Sequence, residues 1–412
     1  MLTKLHIENF KSIHNLDIEL GKVNVFIGEN GCGKSNILEA VAVASAARSD
    51  RLKNDDLAAK GIRITRPDMM MNSFKGARTK ENININLTFD DVSVPTNLTS
   101  ESLNDIDSPW LDSNILAEKK AYKAFEEKYG HTMAFMYLIT ALKIWSKSKV
   151  EKEKASEELK EFLKLLEQHM SSDEIAAFNN QAYKLFIADF IIYELQTNPL
   201  RGFNKQSYEI PGRNGENLDL LLGKFSEEEW EQIIQHSKFI SWLDDNGIIV
   251  DKDGELAGKR LKLRSDSKLY FRDKFMQKKN NVFSVENANE GALHILFYLA
   301  LFISKKTPSF FAIDNIENAL NPYLCRHLMK NIADLANKNE KQALITTHNP
   351  AILDGLNLHD DNQRLFVVSR NKKGHTTVKR IQLKPEVEVG GKKLKLSELW
   401  MRNHLGGIPQ NF

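Results

Sequence analysis

The sequence predicts an α/β fold that carries a large α-helical insertion. Three observations support this expectation. A short β-branched run, Val23-Asn24-Val25-Phe26-Ile27, enters a glycine-rich turn and then a helical pattern. The final third repeats that theme: residues 309–313 and 343–346 are short apolar strands, each followed by a polar turn and a helix. In between, from about residue 95 to 198, glycine almost vanishes and Lys, Glu, Ala and Leu dominate.

Taken in order, residues 2–10 and 13–20 alternate and predict two strands; 23–27 is a third. Residues 35–47 show helical spacing through Ile37, Leu38, Val41 and Ala44. Residues 83–89 alternate again through Ile83, Ile85, Leu87 and Phe89. Helices are expected over roughly 114–128, 131–148, 150–169 and 173–196. Residues 147–167 mix Lys and Glu in equal number and suit either a coiled-coil arm or one wall of a helical bundle. Turn signals crowd 199–257. An apolar helix follows at 292–303, and 364–369 is a further strand. The expected division is a first lobe over 1–95, a helical arm over 96–198 and a second lobe over 199–412.

Composition narrows the function classes. With 412 residues, 42% of them hydrophobic, the chain can bury a large core, which excludes disorder throughout. Two cysteines exclude a disulfide scaffold and suit a reducing compartment. Lys and Arg number 57 against 55 acids, a net charge of +2 that argues against a bulk polyanion binder. The N-terminus has no signal-peptide pattern. The longest apolar run contains His294 and falls short of the roughly 20 residues needed to span a bilayer. A cytoplasmic location and no membrane partner are expected.

The chemistry is concentrated at a few points. Gly28-Glu29-Asn30-Gly31-Cys32-Gly33-Lys34-Ser35 fits the phosphate-binding loop G-x-x-x-x-G-K-S, between a strand and a helix as that motif requires. Backbone N–H groups at the turn and helix start cradle phosphate, so the expected nucleotide contacts are Asn30, Gly31, Cys32, Gly33, Lys34, Ser35 and Asn36. Lys34 reaches the β- and γ-phosphates, and Ser35 ligates Mg²⁺. Asp314 ends the apolar run Phe310-Phe311-Ala312-Ile313, where a carboxylate holds Mg²⁺ or its water. His348 follows the next strand, in place to sense a γ-phosphate.

These motifs, in this order, resemble ABC-type ATPases of the SMC/RecF/OLD-like branch. The opening Ile7-Glu8-Asn9-Phe10-Lys11-Ser12 is similar to that branch, as are Asn36-Ile37-Leu38-Glu39-Ala40, Asp314 to Pro322 and Thr347-His348-Asn349-Pro350. The resemblance implies an ABC-type P-loop ATPase head, with a mixed central sheet flanked by helices and an arm inserted between the Walker A and signature lobes. It implies ATP and Mg²⁺ as cofactors, adds Lys11 to the nucleotide contacts, and gives Lys34, Asp314 and His348 catalytic roles. Residues 284–291 occupy the slot of the signature motif, so Asn289 and Gly291 would face nucleotide bound to a second copy. Further segments, including Gly212-Arg213-Asn214-Gly215-Glu216 and Leu396-Ser397-Glu398-Leu399-Trp400, resemble stand-alone ATPase subunits of bacterial abortive-infection and anti-phage systems. OLD-like nucleases add a Toprim domain, for which no room remains before Phe412.

One departure matters. ABC ATPases usually place a catalytic Glu directly after the Walker B Asp; here that position is Asn315, and the next acid is Glu317, at a position where related ATPases of this branch often carry an acid. An amide cannot take a proton, and general-base help is worth about 10²–10⁴-fold. Either hydrolysis is slow and ATP acts as a clamp, or Glu317 takes over. Glu317 also reads as an acid favoured at a helix start.

The expectation is an ATP-gated homodimer or higher homo-oligomer, closed through an ATP sandwich, that controls a separately encoded nuclease or toxin in anti-phage defence. The alternative is an SMC/RecF-like ATPase acting on DNA in repair. Its support is the basic stretch 259–279; residues 258–280 hold nine Lys/Arg and two Asp, interleaved with Tyr270, Phe271 and Phe275. A half-buried strand or a partner-binding basic surface reads equally from the same residues.

Overall fold

The computed structural model describes residues 1–74, 80–89, 92–116, 120, 123, 126–127, 130, 187–203, 209–251, 256, 265–382, 388–389 and 392–407. Most of the expected helical arm, and residues 259–264 of the basic stretch, lie outside the described residues.

β1 (Leu2–Phe10) and β2 (Ile13–Glu19) pair as an antiparallel hairpin, with Phe10 opposite Ile13. β3 (Val23–Ile27) is buried at all five positions, as suits a strand covered on both faces. β4 (Ile83–Phe89) alternates strictly between buried and half-buried, and β5 (Val92–Ser100) and β6 (Trp110–Asp112) follow it. β1, β2, β4, β5 and β6 make one antiparallel sheet in the order β2-β1-β4-β5-β6.

The later strands are β7 (Ile192–Tyr193), β8 (Leu243–Val250), β9 (Leu269–Asp273), β10 (Val282–Ser284), β11 (Phe310–Ile313), β12 (Gln342–Thr347), β13 (Gln363–Arg370) and β14 (Thr376–Ile381). β8, β9 and β10 form a small antiparallel sheet. The main sheet has the order β14-β13-β3-β12-β11-β7; its neighbours are parallel except for β13 with β14. It is thus the mixed sheet flanked by helices that the sequence leads one to expect. β3 lies between β12 and β13, with Ile27 level with Thr347 on one side and Val367 on the other. Register of this kind brings the carboxyl ends of distant strands to one edge, where α/β sheets bind ligands.

The helices on this sheet follow their sequences. Asn321 caps the helix Pro322–Lys338 by accepting from Leu324 N at 2.9 Å, and Pro322 takes the first turn, where a missing N–H costs nothing. Cys325, Leu328, Met329, Ile332, Leu335 and Ala336 form its buried stripe. The helix Glu290–Ile303 is buried from Gly291 to Ile303, so it needs no polar face. Phe302 packs edge-on against Phe311 of β11, with ring centroids 5.0 Å apart.

One expected element changes type. Residues 192–193, at the end of the helix predicted over 173–196, are β7 and hydrogen-bond alongside Ala312 and Ile313. The run Phe190-Ile191-Ile192-Tyr193 is aromatic and β-branched, a composition that favours a buried edge strand over a helix end.

Two compact units are interleaved along the chain. One comprises Met1–Glu19, Ala40–Ala58 and Arg63–Phe190; the other comprises Leu20–Glu39, Ala59–Ile62 and Ile191–Phe412. The antiparallel five-stranded sheet belongs to the first, the main sheet and the small sheet to the second. Among the described residues no helix is long and apolar enough to cross a membrane.

Candidate active site

The phosphate-loop sequence leaves β3 at Ile27 and enters the helix Lys34–Arg48. Two glycines are required by what surrounds them. A Cβ on Gly28 would lie 2.1 Å from the Val368 carbonyl oxygen, and Gly33 has a φ of +110°, outside the range of side-chain-bearing residues. The loop is also tied from outside: Arg370 Nε donates to Gly31 O at 2.8 Å, and Thr376 Oγ1 donates to Cys32 O at 2.8 Å. β13 and β14 therefore hold the turn from one side.

Lys34 is buried, and its ammonium folds back into the loop. It donates to Gly28 O at 3.0 Å and Glu29 O at 2.9 Å, and lies 3.5 Å from His348 Nδ1. Burial lowers the pKa of Lys34, and burial together with the Lys34 charge lowers that of His348, so the imidazole is neutral. Cys32 is buried and its thiol pKa is raised by desolvation; it acts as a small packed residue, its sulfur 3.8 Å from Lys34 Nζ. Asn30 and Gly31 are exposed, Ser35 and Asn36 half-buried.

Asp314 lies at the carboxyl end of β11. Its Oδ2 accepts from Ser35 Oγ at 2.9 Å, and its Oδ1 accepts from Thr346 Oγ1. Thr346, fully buried on β12, also accepts from Asn315 N at 2.9 Å. Sequence reasoning missed this threonine, since nothing marks it until β11 and β12 are known to be neighbours. Asn315 takes a φ of +55°, a left-handed conformation that asparagine tolerates better than most residues. Glu317 does not start a helix: it lies in a turn, and the helix begins at Pro322. Its Oε1 accepts from His348 N at 2.7 Å, while its Oε2 is buried with no hydrogen-bond partner among the described residues.

Lys34, Ser35, Asp314, Glu317 and His348 thus converge at the carboxyl ends of β3, β11 and β12. Asn289 and Gly291 occupy a separate element. Asn289 caps the apolar helix by accepting from Ala292 N at 3.2 Å. A Cβ on Gly291 would lie 2.8 Å from the Ala319 carbonyl oxygen, which explains the glycine within its own chain. Lys11, in the other unit, has a φ of +47°; its N donates to Met70 O at 2.8 Å and its Nζ to Arg63 O at 3.3 Å.

The donor set fits a magnesium nucleotide. A hydroxyl and a carboxylate supply hard oxygen ligands, a buried ammonium supplies positive charge, and the loop and helix start present backbone N–H groups. Within the described part of the basic stretch, Tyr270 and Phe271 are core residues, 1% exposed each, whereas Phe275 is 76% exposed beyond β9.

Comparison with known proteins agrees with this geometry. A DNA replication and repair protein RecF of Streptococcus suis (strain 05ZYH33) is 46% identical over 55 residues, 13% of this chain and 15% of that protein. RecF of Bacillus mycoides (strain KBAB4) is 33% identical over 87 residues, 21% and 22% of the two chains. The chain therefore spans less than a quarter of the length of these curated relatives. An SMC head solved bound to the C-winged helix domain of ScpA superposes with a TM-score of 0.51 at 16% identity, covering 93% of this chain and 98% of that one. An SMC head domain from Thermotoga maritima gives 0.45 at 12% identity over 93% and 99%. The first superposition shows the fold of an ABC-type P-loop ATPase head. Residues 23–354 match the family described as "AAA domain, putative AbiEii toxin, Type IV TA system", and the chain belongs to that family.

Proposed function

We propose that the protein binds Mg²⁺ and ATP at this site, hydrolyses ATP slowly, and uses the bound nucleotide to close two copies of the chain into an assembly that controls a separate effector in anti-phage defence. The observation that carries the reading is the hydrogen bond from Ser35 Oγ to Asp314 Oδ2 at 2.9 Å, a hydroxyl and a carboxylate of the kind that hold magnesium in P-loop enzymes.

Ser35 and Asp314 hold the metal, and the loop N–H groups and Lys34 hold the β- and γ-phosphates. Mg²⁺ neutralises charge on the phosphate oxygens and orients them. Lys34 gives up its carbonyl partners for phosphate, which restores a charged partner to a buried ammonium. Glu317 is the base: His348 N–H fixes one carboxylate oxygen, and the other is left to hold the attacking water and take its proton. His348, neutral and beside Lys34, senses the γ-phosphate. With Asn315 in the usual position of the base, the carboxylate acts from two residues further on, which accounts for slow turnover. Asn289 and Gly291 present the helix start Glu290–Ile303 to nucleotide on the second copy.

Control of an effector is supported by the family description, which names a toxin and a toxin–antitoxin system. The SMC head of similar fold was solved with a domain of ScpA bound, a precedent for a protein partner. The test of the chemistry is Glu317→Gln. This variant should bind ATP as the wild type does and lose turnover by on the order of 10²-fold or more; unchanged steady-state hydrolysis removes Glu317 from the role.

A further inference from the structure

Two strand residues that touch no phosphate-binding motif in the sequence hold the phosphate loop from outside. Arg370 and Thr376 stand directly opposite each other in the ladder of β13 and β14. Opposite residues of an antiparallel pair share one face, with Cβ atoms about 4.5–5.5 Å apart. That spacing is close to the step of about 3.8 Å between successive Cα atoms of a chain. The two side chains accordingly reach two successive carbonyls. Arg370 Nε donates to Gly31 O and Thr376 Oγ1 donates to Cys32 O, each at 2.8 Å. The second bond is sealed from water: Thr376 is 2% exposed and Cys32 is fully buried.

The hairpin behind this pair is itself tied. Asn371 N donates to His375 O at 2.9 Å, and Asn371 Oδ1 accepts from Lys373 N at 2.9 Å and from His375 N at 3.1 Å. One step along the ladder, the hydroxyls of Ser369 and Thr377 lie 3.0 Å apart. In a planar trans peptide the C=O of one residue and the N–H of the next point in opposite directions. Fixing Gly31 O therefore fixes Cys32 N–H, and fixing Cys32 O fixes Gly33 N–H, both directed away from the hairpin. Cys32 N meets Glu29 O at 3.4 Å, longer than an ordinary N–H···O bond of about 2.7–3.2 Å. Gly33 N–H has no hydrogen-bond partner among the described residues. One donor is thus weakly occupied and the other open, in the loop where the Lys34 ammonium rests on Gly28 O and Glu29 O.

We propose that Thr376 and Arg370 are positioning residues for nucleotide binding: as a cross-strand pair they lock two successive peptide planes of the phosphate loop, so that the N–H groups of Cys32 and Gly33 are aimed at phosphate before it arrives. Neither side chain touches the nucleotide. Their effect is on affinity, because a loop already held in its binding geometry loses less freedom when it closes on phosphate. Thr376 carries the larger share, since its bond is buried, whereas Arg370 is exposed and water competes for Gly31 O. The inference rests on the loop being the nucleotide site; the two hydrogen bonds to its carbonyls do not.

The experiment uses the full-length protein as Thr376→Val, Thr376→Ser, Arg370→Ala and Lys34→Ala, with calorimetric titration of ATP in the presence of Mg²⁺ and steady-state hydrolysis. Thr376→Val keeps the shape and loses the donor; its Kd for ATP should rise about tenfold. KM should rise in step while kcat stays within about twofold, because the lost interaction serves bound substrate and transition state alike. Thr376→Ser restores the hydroxyl and should bind within about twofold of the wild type. Arg370→Ala should weaken binding about threefold at low and high salt alike. A loss that disappears at high salt makes the guanidinium a charge alone and removes Arg370 from the pair. A merely structural role for Thr376 lowers the thermal midpoint of the nucleotide-free protein and leaves Kd unchanged. That result, or a Thr376→Ser variant that binds as poorly as Thr376→Val, overturns the positioning role. Lys34→Ala separates the two levels. If it binds ATP like the wild type, the loop is not the nucleotide site and both readings fall; if it loses binding while Thr376→Val and Arg370→Ala keep wild-type Kd, only the positioning role falls.

Discussion

Ser35 and Asp314 lie 279 positions apart in the chain, and their side chains are joined by a 2.9 Å hydrogen bond. One ends the phosphate loop and the other ends β11; β12 lies between their strands. Ser35→Ala should raise the Mg²⁺ concentration needed for half-maximal ATP hydrolysis. Asp314→Asn should lower turnover by on the order of 10²-fold, because it removes charge where charge must be balanced. A magnesium titration of hydrolysis checks both; a wild-type magnesium requirement in Ser35→Ala contradicts the assignment.

Thr346 holds the Walker B turn in place. Its hydroxyl donates to Asp314 and accepts from Asn315 N–H, and it is fully buried. Thr346→Val keeps the shape and strands both partners, at a cost of about 1–3 kcal/mol. Thermal unfolding should show that loss, and hydrolysis should fall while ATP affinity is kept.

Asn315 invites the substitution that would restore the usual acid, and its backbone argues against it. At φ +55° a glutamate carries a left-handed strain of about 1–2 kcal/mol, whereas glycine carries none. Asn315→Glu should therefore lose thermal stability, and Asn315→Gly should stay near wild type. The sequence alone suggests that Asn315→Glu speeds hydrolysis. Faster turnover with no loss of stability would show that the turn relaxes without cost.

His294 gives a pH signature. Burial drops its pKa to about 4, and the nearby Glu290 offsets that only in part. In the unfolded chain it titrates near 6.5, so the unfolded state binds the extra proton between the two values. The native state is then undisturbed above about pH 6.5 and loses stability as pH falls from 6.5 toward 4. Between pH 7 and pH 5 the loss from this residue is about 2 kcal/mol. Urea unfolding of wild type and His294→Leu at both pH values measures it as the difference in their pH dependence.

Much of this was legible in the sequence for local reasons. Val23–Ile27 is β-branched and ends at a glycine, and Asn321-Pro322 is a cap followed by a proline at a helix start. Such features act within a few residues, and so do Lys34, Ser35, Asp314 and His348 at the edges of their elements. What escaped depends on which strands are neighbours. Thr346, Arg370 and Thr376 look like ordinary strand residues until β12, β13 and β14 are placed around β3, and only then do their side chains reach the Walker B turn and the loop carbonyls. Residues 192–193 continue a helical pattern, and their strand character comes from pairing with Ala312 and Ile313 across the sheet. The role of Glu317 was open because the sequence shows an acid near a helix, while its His348 contact is tertiary.

The central claim is that ATP closes two copies of this chain through Lys34 and the site around it. Mass in solution, measured by light scattering with and without Mg²⁺ and ATP on wild type and Lys34→Ala, addresses it directly. The account predicts that ATP raises the mass of the wild type to a dimer or a higher multiple and leaves Lys34→Ala unchanged. An ATP-dependent assembly that persists in Lys34→Ala, or a wild type whose mass ignores ATP, contradicts it.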